Sequence, residues 1–302
     1  MRVRRLGRIF GAEDGAAWMH SHAAYPAPVL MDSRRIRLFI VSRDSDNRGS
    51  VGFVDLDASD PTRILDVSSR PCLTPGALGT FSHRGISIGS ISRVGGSLWL
   101  YYMGWNKSVD VPFQNAIGLA VCADGTGERF QPAFEGPLLD RSRFDPFTVS
   151  YPFVVPPKAP AEKWTMYYGT SRAGGDREEN MQHVITSAGS DDGIDWRPSG
   201  ADVVALKDGE YGLSRPWCCR VGGRDLMLFS IRRAKYAIGA AEIAEGGTWS
   251  RLADDLLGPS TDPWESEASC YPATIAVQGR TLLFYNGNGY GKTGVGVAEI
   301  LD

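Results

Sequence analysis

The sequence lacks several features that would direct the protein to a membrane, a nucleic acid or the secretory route. Among its 302 residues, no apolar run approaches the roughly 20 residues that a transmembrane helix needs. The basic N-terminus, MRVRRLGRIF, has neither the apolar core nor the cleavage site of a signal peptide. The net charge is only −3, so no overall attraction to nucleic acid or anionic membrane is expected. We therefore predict a soluble cytoplasmic protein without nucleic-acid or membrane partners.

Cysteine and helical patterning are also sparse. The 5 cysteines are odd in number and include the adjacent pair Cys218-Cys219, which favours buried reduced thiols over a disulfide framework. No stretch shows long helical periodicity. The 36 glycines and 18 prolines suit a chain with many tight turns. These features together favour a β-rich fold.

What the sequence does contain is one pattern that occurs five times. Each copy has a short strand, usually led by an X-Pro pair, then a polar turn and a second apolar strand. The copies centre on Pro26, Ile88, Pro152, Pro216 and Pro272, at intervals of about 60 residues, as in radial or stacked repeats. We predict an all-β, five-bladed β-propeller with blades of about four antiparallel strands, forming a single domain over residues 1–302.

The two ends of the chain complement each other in this scheme. Residues 2–10 read as a strand with no partner nearby in sequence, and the last unit has room for only about three strands where a blade has four. Closed β folds hide their edges in this way. We therefore expect the N-terminal strand to complete the last blade and close the ring.

In a propeller, the residues at the start of the innermost strands and at the end of the following strands face the mouth of the central channel. Polar and aromatic residues recur at these points, and convergent polar groups in a concavity indicate a binding site, although a solvated rim would also be polar. The starts hold His20, His22, His83, Arg84, Asp145, Glu210, Arg215 and Glu267, and the ends add Arg43, Asp44, Trp105, Asn106, Arg232, Asn286 and Asn288.

Several segments carry a resemblance to a known superfamily. The Tyr-Pro strand starts, SRDSDNRGS, YYMGWN, SDDGIDW, and WESEASCYP followed by FYNGNGYGKTGVGVA resemble the five-bladed propeller glycoside hydrolases of the family 43, 32, 68 and 130 type. The likeness is greatest to diverged intracellular members found among polysaccharide-biosynthesis genes, and it spans about residues 18 to 302. It implies a carbohydrate-active enzyme. We expect that no cofactor is required, and we assign no metal ligands.

The resemblance also implies three catalytic carboxylates from different blades, because one carboxyl group must protonate the leaving oxygen while another activates water or attacks the sugar. Glu267 matches the general acid. Asp145, Glu210 and Asp44 are candidates for the companion carboxylate. The relatives carry an acidic pair at the start of blade two, where this chain has Ser82-His83. His83 is therefore a further candidate base, since histidine titrates near neutral pH.

Other residue types leave alternatives open. His20, His22 and His83 could contact substrate, hold a metal or bond to neighbouring groups. Arg43, Arg84, Arg215 and Arg232 could bind an anionic ligand or form salt bridges. Trp105 and Tyr290 could stack on a sugar or pack against neighbours, and Asn106, Asn286 and Asn288 could bind substrate hydroxyls.

We interpret the protein as a glycosidase-type enzyme that acts on a glycosyl or sugar-like small molecule by carboxylate general acid/base catalysis. Two alternatives remain at this stage. One is a diverged biosynthetic enzyme that performs transfer, phosphorolysis or rearrangement on the same fold. The other is a catalytically inactive sugar-binding propeller.

Overall fold

The computed structural model describes residues 1–159, 161–244 and 247–301, and the chain is all-β. Short helical segments cover Ala12–Asp14, Glu178–Asn180, Pro263–Glu265 and Asn288–Gly291. No helix in the described ranges is both long and apolar enough to cross a membrane. The strands are β1 (Arg2–Phe10), β2 (Ser21–Asp32), β3 (Arg35–Arg43), β4 (Gly49–Asp57), β5 (Ile64–Val67), β6 (Gly85–Val94), β7 (Ser97–Asn106), β8 (Gln114–Cys122), β9 (Gln131–Pro132), β10 (Val149–Val155), β11 (Trp164–Ser171), β12 (His183–Ser190), β13 (Arg197–Val204), β14 (Gly212–Val221), β15 (Arg224–Arg232), β16 (Ala237–Ile243), β17 (Trp249–Leu257), β18 (Cys270–Val277), β19 (Arg280–Asn286) and β20 (Val295–Leu301).

Hydrogen bonding arranges these strands in antiparallel meanders. The pairing runs β2-β3-β4-β5, β6-β7-β8-β9, β10-β11-β12-β13 and β14-β15-β16-β17, and the last group is β18-β19-β20-β1. Single parallel bridges, Gly49 with Gly85 and His183 with Gly212, join the first group to the second and the third to the fourth. The predicted N-terminal strand is present, and it pairs antiparallel with β20.

The first strand of every group is bulged near its middle, between Ala24 and Ala27, Ile88 and Ser90, Ser150 and Phe153, Ser214 and Trp217, and Cys270 and Ala273. In four groups the bulge contains an X-Pro pair. Proline has no N–H to donate, so a bulge is one of the few places in a sheet that accepts it. The residue before the proline has a positive φ, 54° at Tyr25, 45° at Tyr151, 52° at Arg215 and 56° at Tyr271.

These bulges explain why the repeat is visible in the sequence, and they also determine where the side chains of the bulged residues lie. A positive φ is unfavourable for a bulky residue and persists only where the surroundings enforce it. In the second group the bulge has Gly89, where an added Cβ would lie 2.1 Å from the carbonyl oxygen of Pro152. The first strands of neighbouring groups pack together, and Tyr25, Tyr151 and Tyr271 share one buried cluster.

The segment SDDGIDW, residues 190–196, forms a tight turn between β12 and β13. Asp192 Oδ1 accepts hydrogen bonds from the backbone N–H groups of Ile194 and Asp195 at 2.8 and 2.9 Å. Gly193 has φ of 78°, the left-handed conformation that glycine adopts without strain. Trp196 is buried against Tyr101 of the preceding group, so the turn fastens the outer edge of one group to its neighbour.

Candidate functional site

A cavity of about 310 Å³ opens where all five groups converge, within the size range of small-molecule sites. Each group contributes to its lining, including Tyr25 from the first, Trp105 from the second, Tyr151 from the third, Arg232 from the fourth and Tyr271 from the fifth. The loop after β7 and the helical segments at Glu178–Asn180 and Asn288–Gly291 complete the wall. We call this space the central cavity.

Three tyrosines form the floor of the central cavity. The ring centroids of Tyr25 and Tyr271 lie 4.6 Å apart, and Tyr151 lies 5.6 and 5.7 Å from these two rings. Burial raises the pKa of Tyr151 and of Tyr271 well above the usual value, with the neighbouring tyrosines adding to the shift. Both phenols therefore stay protonated at neutral pH and can donate hydrogen bonds to a ligand.

Arg215 lies behind these tyrosines and is fully buried. Its Nη1 donates to the carbonyl oxygens of Tyr271 and Pro272 at 3.0 and 2.9 Å, and its Nη2 donates to that of Pro26 at 2.6 Å. Burial lowers its pKa to about 10, so the guanidinium is still charged at neutral pH. Arg215 was predicted to bind substrate, but the structure places it outside the cavity lining. Its Nε also donates to the carbonyl oxygen of Ile88 at 3.5 Å, so its donors instead link the first, second and fifth groups.

The charged wall of the central cavity is built around Arg232 and Glu178. Arg232 ends β15 and is 3% exposed. Its Nη1 donates to Glu178 Oε2 at 3.1 Å, and its Nε donates to Ser214 Oγ at 3.3 Å. Of the lining residues in the described ranges, Glu178 is the one carboxylate. The cavity therefore has one acid/base carboxyl group and an adjacent cation.

His183 begins β12 and lies in the same wall, 4% exposed. Its Nδ1 is 3.0 Å from Ser171 Oγ, whereas its Nε2 is buried without a hydrogen-bond partner in the described structure. Burial, together with the charge of Arg232, holds the pKa of His183 well below its usual value. The imidazole is therefore neutral near pH 7. Asn115, 7% exposed, also lines the cavity, and no described residue bonds to its Oδ1.

The candidate carboxylates proposed from the sequence lie elsewhere. Asp145, 1% exposed, accepts hydrogen bonds from Tyr168 and Ser142 at 2.9 and 3.2 Å. Glu210 pairs with Arg251 at 2.7 Å. Asp44 Oδ1 accepts the backbone N–H groups of its own turn, and Glu267 is exposed. None of the four lines the cavity. Asp145 is engaged by hydrogen bonds in the core, Glu210 by an ion pair and Asp44 by the backbone of its own turn.

The remaining candidates divide between the cavity and its surroundings. Arg43, Trp105 and Arg232 do line it. His20 is exposed, and His83 Nδ1 lies 3.2 Å from the carbonyl oxygen of Thr80. His22 is largely buried, and burial, then the charges of Arg43 and Lys292, lowers its pKa to about 4. In the described ranges no group of three or more histidine, cysteine or acidic side chains could hold a metal ion.

The polar residues near the rim mainly support backbone. The Asn106 side chain donates to the carbonyl oxygen of Thr80 and accepts from the N–H of Arg84. Asn288 Oδ1 accepts the N–H groups of Glu267 and Ala268. Asn286 is fully buried; it accepts the N–H of Tyr25 at 2.8 Å and donates to the carbonyl oxygen of Ala23 at 2.7 Å. Asn286 therefore fixes one of the floor tyrosines from behind.

A second cavity, of about 610 Å³, shares no described lining residue with the first. Its walls include Phe153, Trp217, Cys218 and Cys219. All five cysteines are free, and burial raises the pKa of Cys218 well above the usual thiol value. The only carboxylate among its described lining residues, Asp225, is half exposed. The central cavity is therefore the better candidate for chemistry, although it is the smaller of the two.

Comparison with known proteins places the chain in a family. No family model matches it. It is 36% identical over 302 residues to "Uncharacterized protein Rv1502" of Mycobacterium tuberculosis strain H37Rv, covering 99% of both chains. The chain belongs to the Rv1502 family. "Uncharacterized protein MT1551" of Mycobacterium tuberculosis strain CDC 1551 is 36% identical over the same length and is a second member.

Solved structures show the fold of this Rv1502-family protein. The structure of a BT0996 RGII complex superposes with a TM-score of 0.76 at 16% identity and covers 99% of this chain and 93% of that one. A structure described as "Glycoside hydrolase" gives 0.72 at 17% identity, with 99% and 93% covered. A structure described as "The GH130 family of mannoside phosphorylases contains glycoside hydrolases that target beta-1,2 mannosidic linkages in Candida mannan" gives 0.70 at 15% identity, with 94% and 85% covered. The resemblance to the propeller glycoside hydrolases is confirmed at the level of the fold.

Proposed function

We propose that the protein is a sugar-acting enzyme of the glycosidase type whose active site is the central cavity, with Glu178 as the acid/base carboxylate. The observation that carries this proposal is the convergence of Glu178, Arg232 and neutral His183 in one wall above the tyrosine floor. The propeller glycoside hydrolase fold supports it, since the five groups supply side chains to one concave site.

We also propose that the five groups are the blades of a single propeller domain over residues 1–302, closed by β1. Antiparallel pairing of β1 with β20 supports closure. So does the ion pair of Arg5 with buried Glu265, whose nitrogen and oxygen lie 3.0 Å apart and which ties β1 to the segment before β18. In this arrangement the bulged first strands surround the axis, and the cavity lies at one end of it.

In the proposed mechanism a glycosyl ligand lies on the tyrosine floor. Glu178 takes a proton from a water molecule as the water oxygen bonds to the anomeric carbon; the bond from that carbon to the leaving oxygen breaks, and the leaving oxygen takes a proton from solvent. Arg232 holds the carboxylate in place through their 3.1 Å contact. Neutral His183 belongs to the same lining, and its Nε2 has no hydrogen-bond partner in the described structure, so in this proposal it can take or relay a proton. This assignment replaces the arrangement of three carboxylates expected from the resemblance, since Glu178 is the only carboxylate among the described lining residues.

The test compares wild type, Glu178→Gln and Glu179→Gln on a panel of aryl glycosides and glycosyl phosphates, following release of free sugar. Loss of a general acid/base group should lower kcat by about 100-fold or more. Glu179 is the next residue, is exposed and does not line the cavity, so its variant should keep wild-type rates. Equal turnover of Glu178→Gln and wild type would remove Glu178 from the mechanism. Ligand binding without turnover in all three proteins would indicate a binding protein.

A further inference from the structure

Two cations in the central cavity have no acidic partner among the described residues. Arg43 ends β3, and Lys107 follows β7, so they come from neighbouring groups of strands. Within the described ranges neither forms an ion pair, and the Arg43 side chain donates one hydrogen bond, to Asn47 Oδ1 at 2.9 Å. A guanidinium with free donors binds oxyanions in a bidentate manner, and a lysine adds a mobile point charge.

The rest of the cavity does not neutralise these charges. Arg232 and Glu178 pair with each other, and His183 is neutral because its pKa is lowered by burial and by Arg232. Arg215 lies directly behind the floor and is bonded to backbone carbonyls, with no carboxylate partner in the described ranges. The lining and its support therefore carry an excess of positive charge, although the whole chain has a net charge of −3.

Two polar groups in the lining are buried and have atoms that no described residue bonds, a state that costs free energy unless a ligand or water satisfies them. They are His183 Nε2 and Asn115 Oδ1, in side chains only 4% and 7% exposed. A neutral imidazole and an amide suit sugar hydroxyls, which both donate and accept hydrogen bonds. Two residues of the lining thus have unused hydrogen-bonding atoms of the kind that suits hydroxyl groups, and two separate cations of the lining suit an anion.

We propose that the substrate is an anionic sugar whose own phosphate or carboxylate group binds between Arg43 and Lys107, while its hydroxyls bind His183 Nε2 and Asn115. This rests on the proposed function, because it names the substrate class of the same site. The volume of about 310 Å³ limits the ligand to a small molecule. Phosphate and carboxylate share the oxyanion chemistry that the two cations recognise.

The experiment is calorimetric titration of the full chain with glucose, glucose 1-phosphate, glucuronate and inorganic phosphate. We expect the anionic sugars to bind at least about tenfold more tightly than glucose, and the difference to shrink with added NaCl as the charges are screened. Lys107→Met should abolish most of the difference. Lys163→Met is the matched control, because Lys163 is 67% exposed and pairs with Asp191 outside the cavity.

Other outcomes would overturn the proposal. Equal affinity for glucose and its anionic counterparts would do so, as would an anion preference that Lys107→Met leaves unchanged. Failure of every probe to bind would also contradict it, because inorganic phosphate alone presents the oxyanion. If phosphate binds together with glucose and does not compete with glucose 1-phosphate, the anion is a separate co-substrate and the assignment to the sugar is wrong.

The same titrations on Glu178→Gln separate this inference from the proposed function. Removing the negative charge beside Arg232 should preserve or increase the preference for anionic sugars. If Glu178→Gln keeps both its turnover and its anion preference, the catalytic assignment fails and the substrate class stands. If it loses turnover but shows no preference for anions, the substrate class fails and the catalytic assignment stands.

Discussion

Arg215 and Arg232 are both almost completely buried near the centre of the molecule, yet they use their donors differently. Arg215 bonds four backbone carbonyls from three groups of strands. Arg232 bonds the carboxylate of Glu178 and lines the cavity. One arginine fixes the backbone of the tyrosine floor, and the other faces the proposed ligand. The two arginines are alike in burial and charge, so under the proposed function only the chemical identity of their partners distinguishes them.

The largest expected effect comes from Arg215→Met. This change removes the donor that four buried carbonyls share, so we expect a loss of about 3 kcal/mol or more in the free energy of unfolding, measured by urea denaturation. Arg220→Met on the same strand is the control, because its side chain is 65% exposed and should change stability by less than about 0.5 kcal/mol. If Arg215→Met does not fold, Arg215→Lys should fold with reduced stability; wild-type stability in either variant would refute the structural role.

Arg232→Met should show the opposite pattern, with a small loss of stability and a large loss of turnover. The carboxylate of Glu178 loses its partner but is about one-third exposed, so water can solvate it and we expect a loss of only about 1–2 kcal/mol. Turnover per folded molecule should fall by about 100-fold or more, since the acid/base group is no longer held. Steady-state kinetics beside denaturation curves check this. Stability reduced as strongly as in Arg215→Met, with kinetics intact, would contradict the distinction between the two arginines.

The pH dependence of stability extends the comparison of buried groups to two buried histidines. The pKa of His183 is held well below its usual value and that of His22 is lowered to about 4, both mainly by burial. Above about pH 6.5 each is neutral in the folded and the unfolded chain, so neither affects stability. Below that pH only the unfolded chain binds the proton, so the free energy of unfolding should fall as the pH decreases towards 4. The slope of this fall corresponds to a difference of at most about one bound proton per histidine.

Urea midpoints between pH 7.5 and 4.5 measure this slope. His22→Gln and His183→Gln should each make the slope shallower, and His20→Gln, at an exposed position, should leave it as in wild type. Identical slopes in all four proteins would show that neither buried histidine resists protonation in the folded chain.

The smallest effect is expected for Tyr271→Phe, which removes one hydroxyl from the floor and keeps the ring. The Tyr25 and Tyr271 rings remain in contact at 4.6 Å, so stability should change by less than about 1 kcal/mol. Ligand affinity should fall several-fold through the lost hydrogen bond. Calorimetry with glucose 1-phosphate measures it, and unchanged affinity would show that the floor contributes only packing.

The sequence predicted the all-β fold and the N-terminal strand because those features follow from local patterns. The X-Pro repeat in particular reflects a local requirement, since proline needs the bulge that occurs in each first strand. The repeat also contained a signal that was not used. Tyr25, Tyr151 and Tyr271 precede prolines at equivalent positions, and all three have a positive φ and lie together in the floor of the central cavity.

The site was less predictable from the sequence than the fold. Arg43, Trp105 and Arg232 were named and do line the cavity, but Glu178 and His183 were omitted. Glu178 lies within the irregular segment between β11 and β12, and His183 directly follows that segment, so the strand pattern did not single out either residue. Asp145 and Glu210 were selected as catalytic, since a sequence shows a carboxylate but not its neighbours. Their partners, Tyr168 and Arg251, come from separate parts of the chain. That His183 is one of only 4 histidines was the available signal.

The most direct test of the account is a crystal structure of the protein with bound glucose 1-phosphate. We predict that the ligand lies in the central cavity, with its phosphate at Arg43 and Lys107 and its sugar within hydrogen-bonding distance of His183 Nε2 and near Glu178. A ligand that binds in the second cavity beside Trp217, or one whose phosphate points away from both cations, would contradict the account.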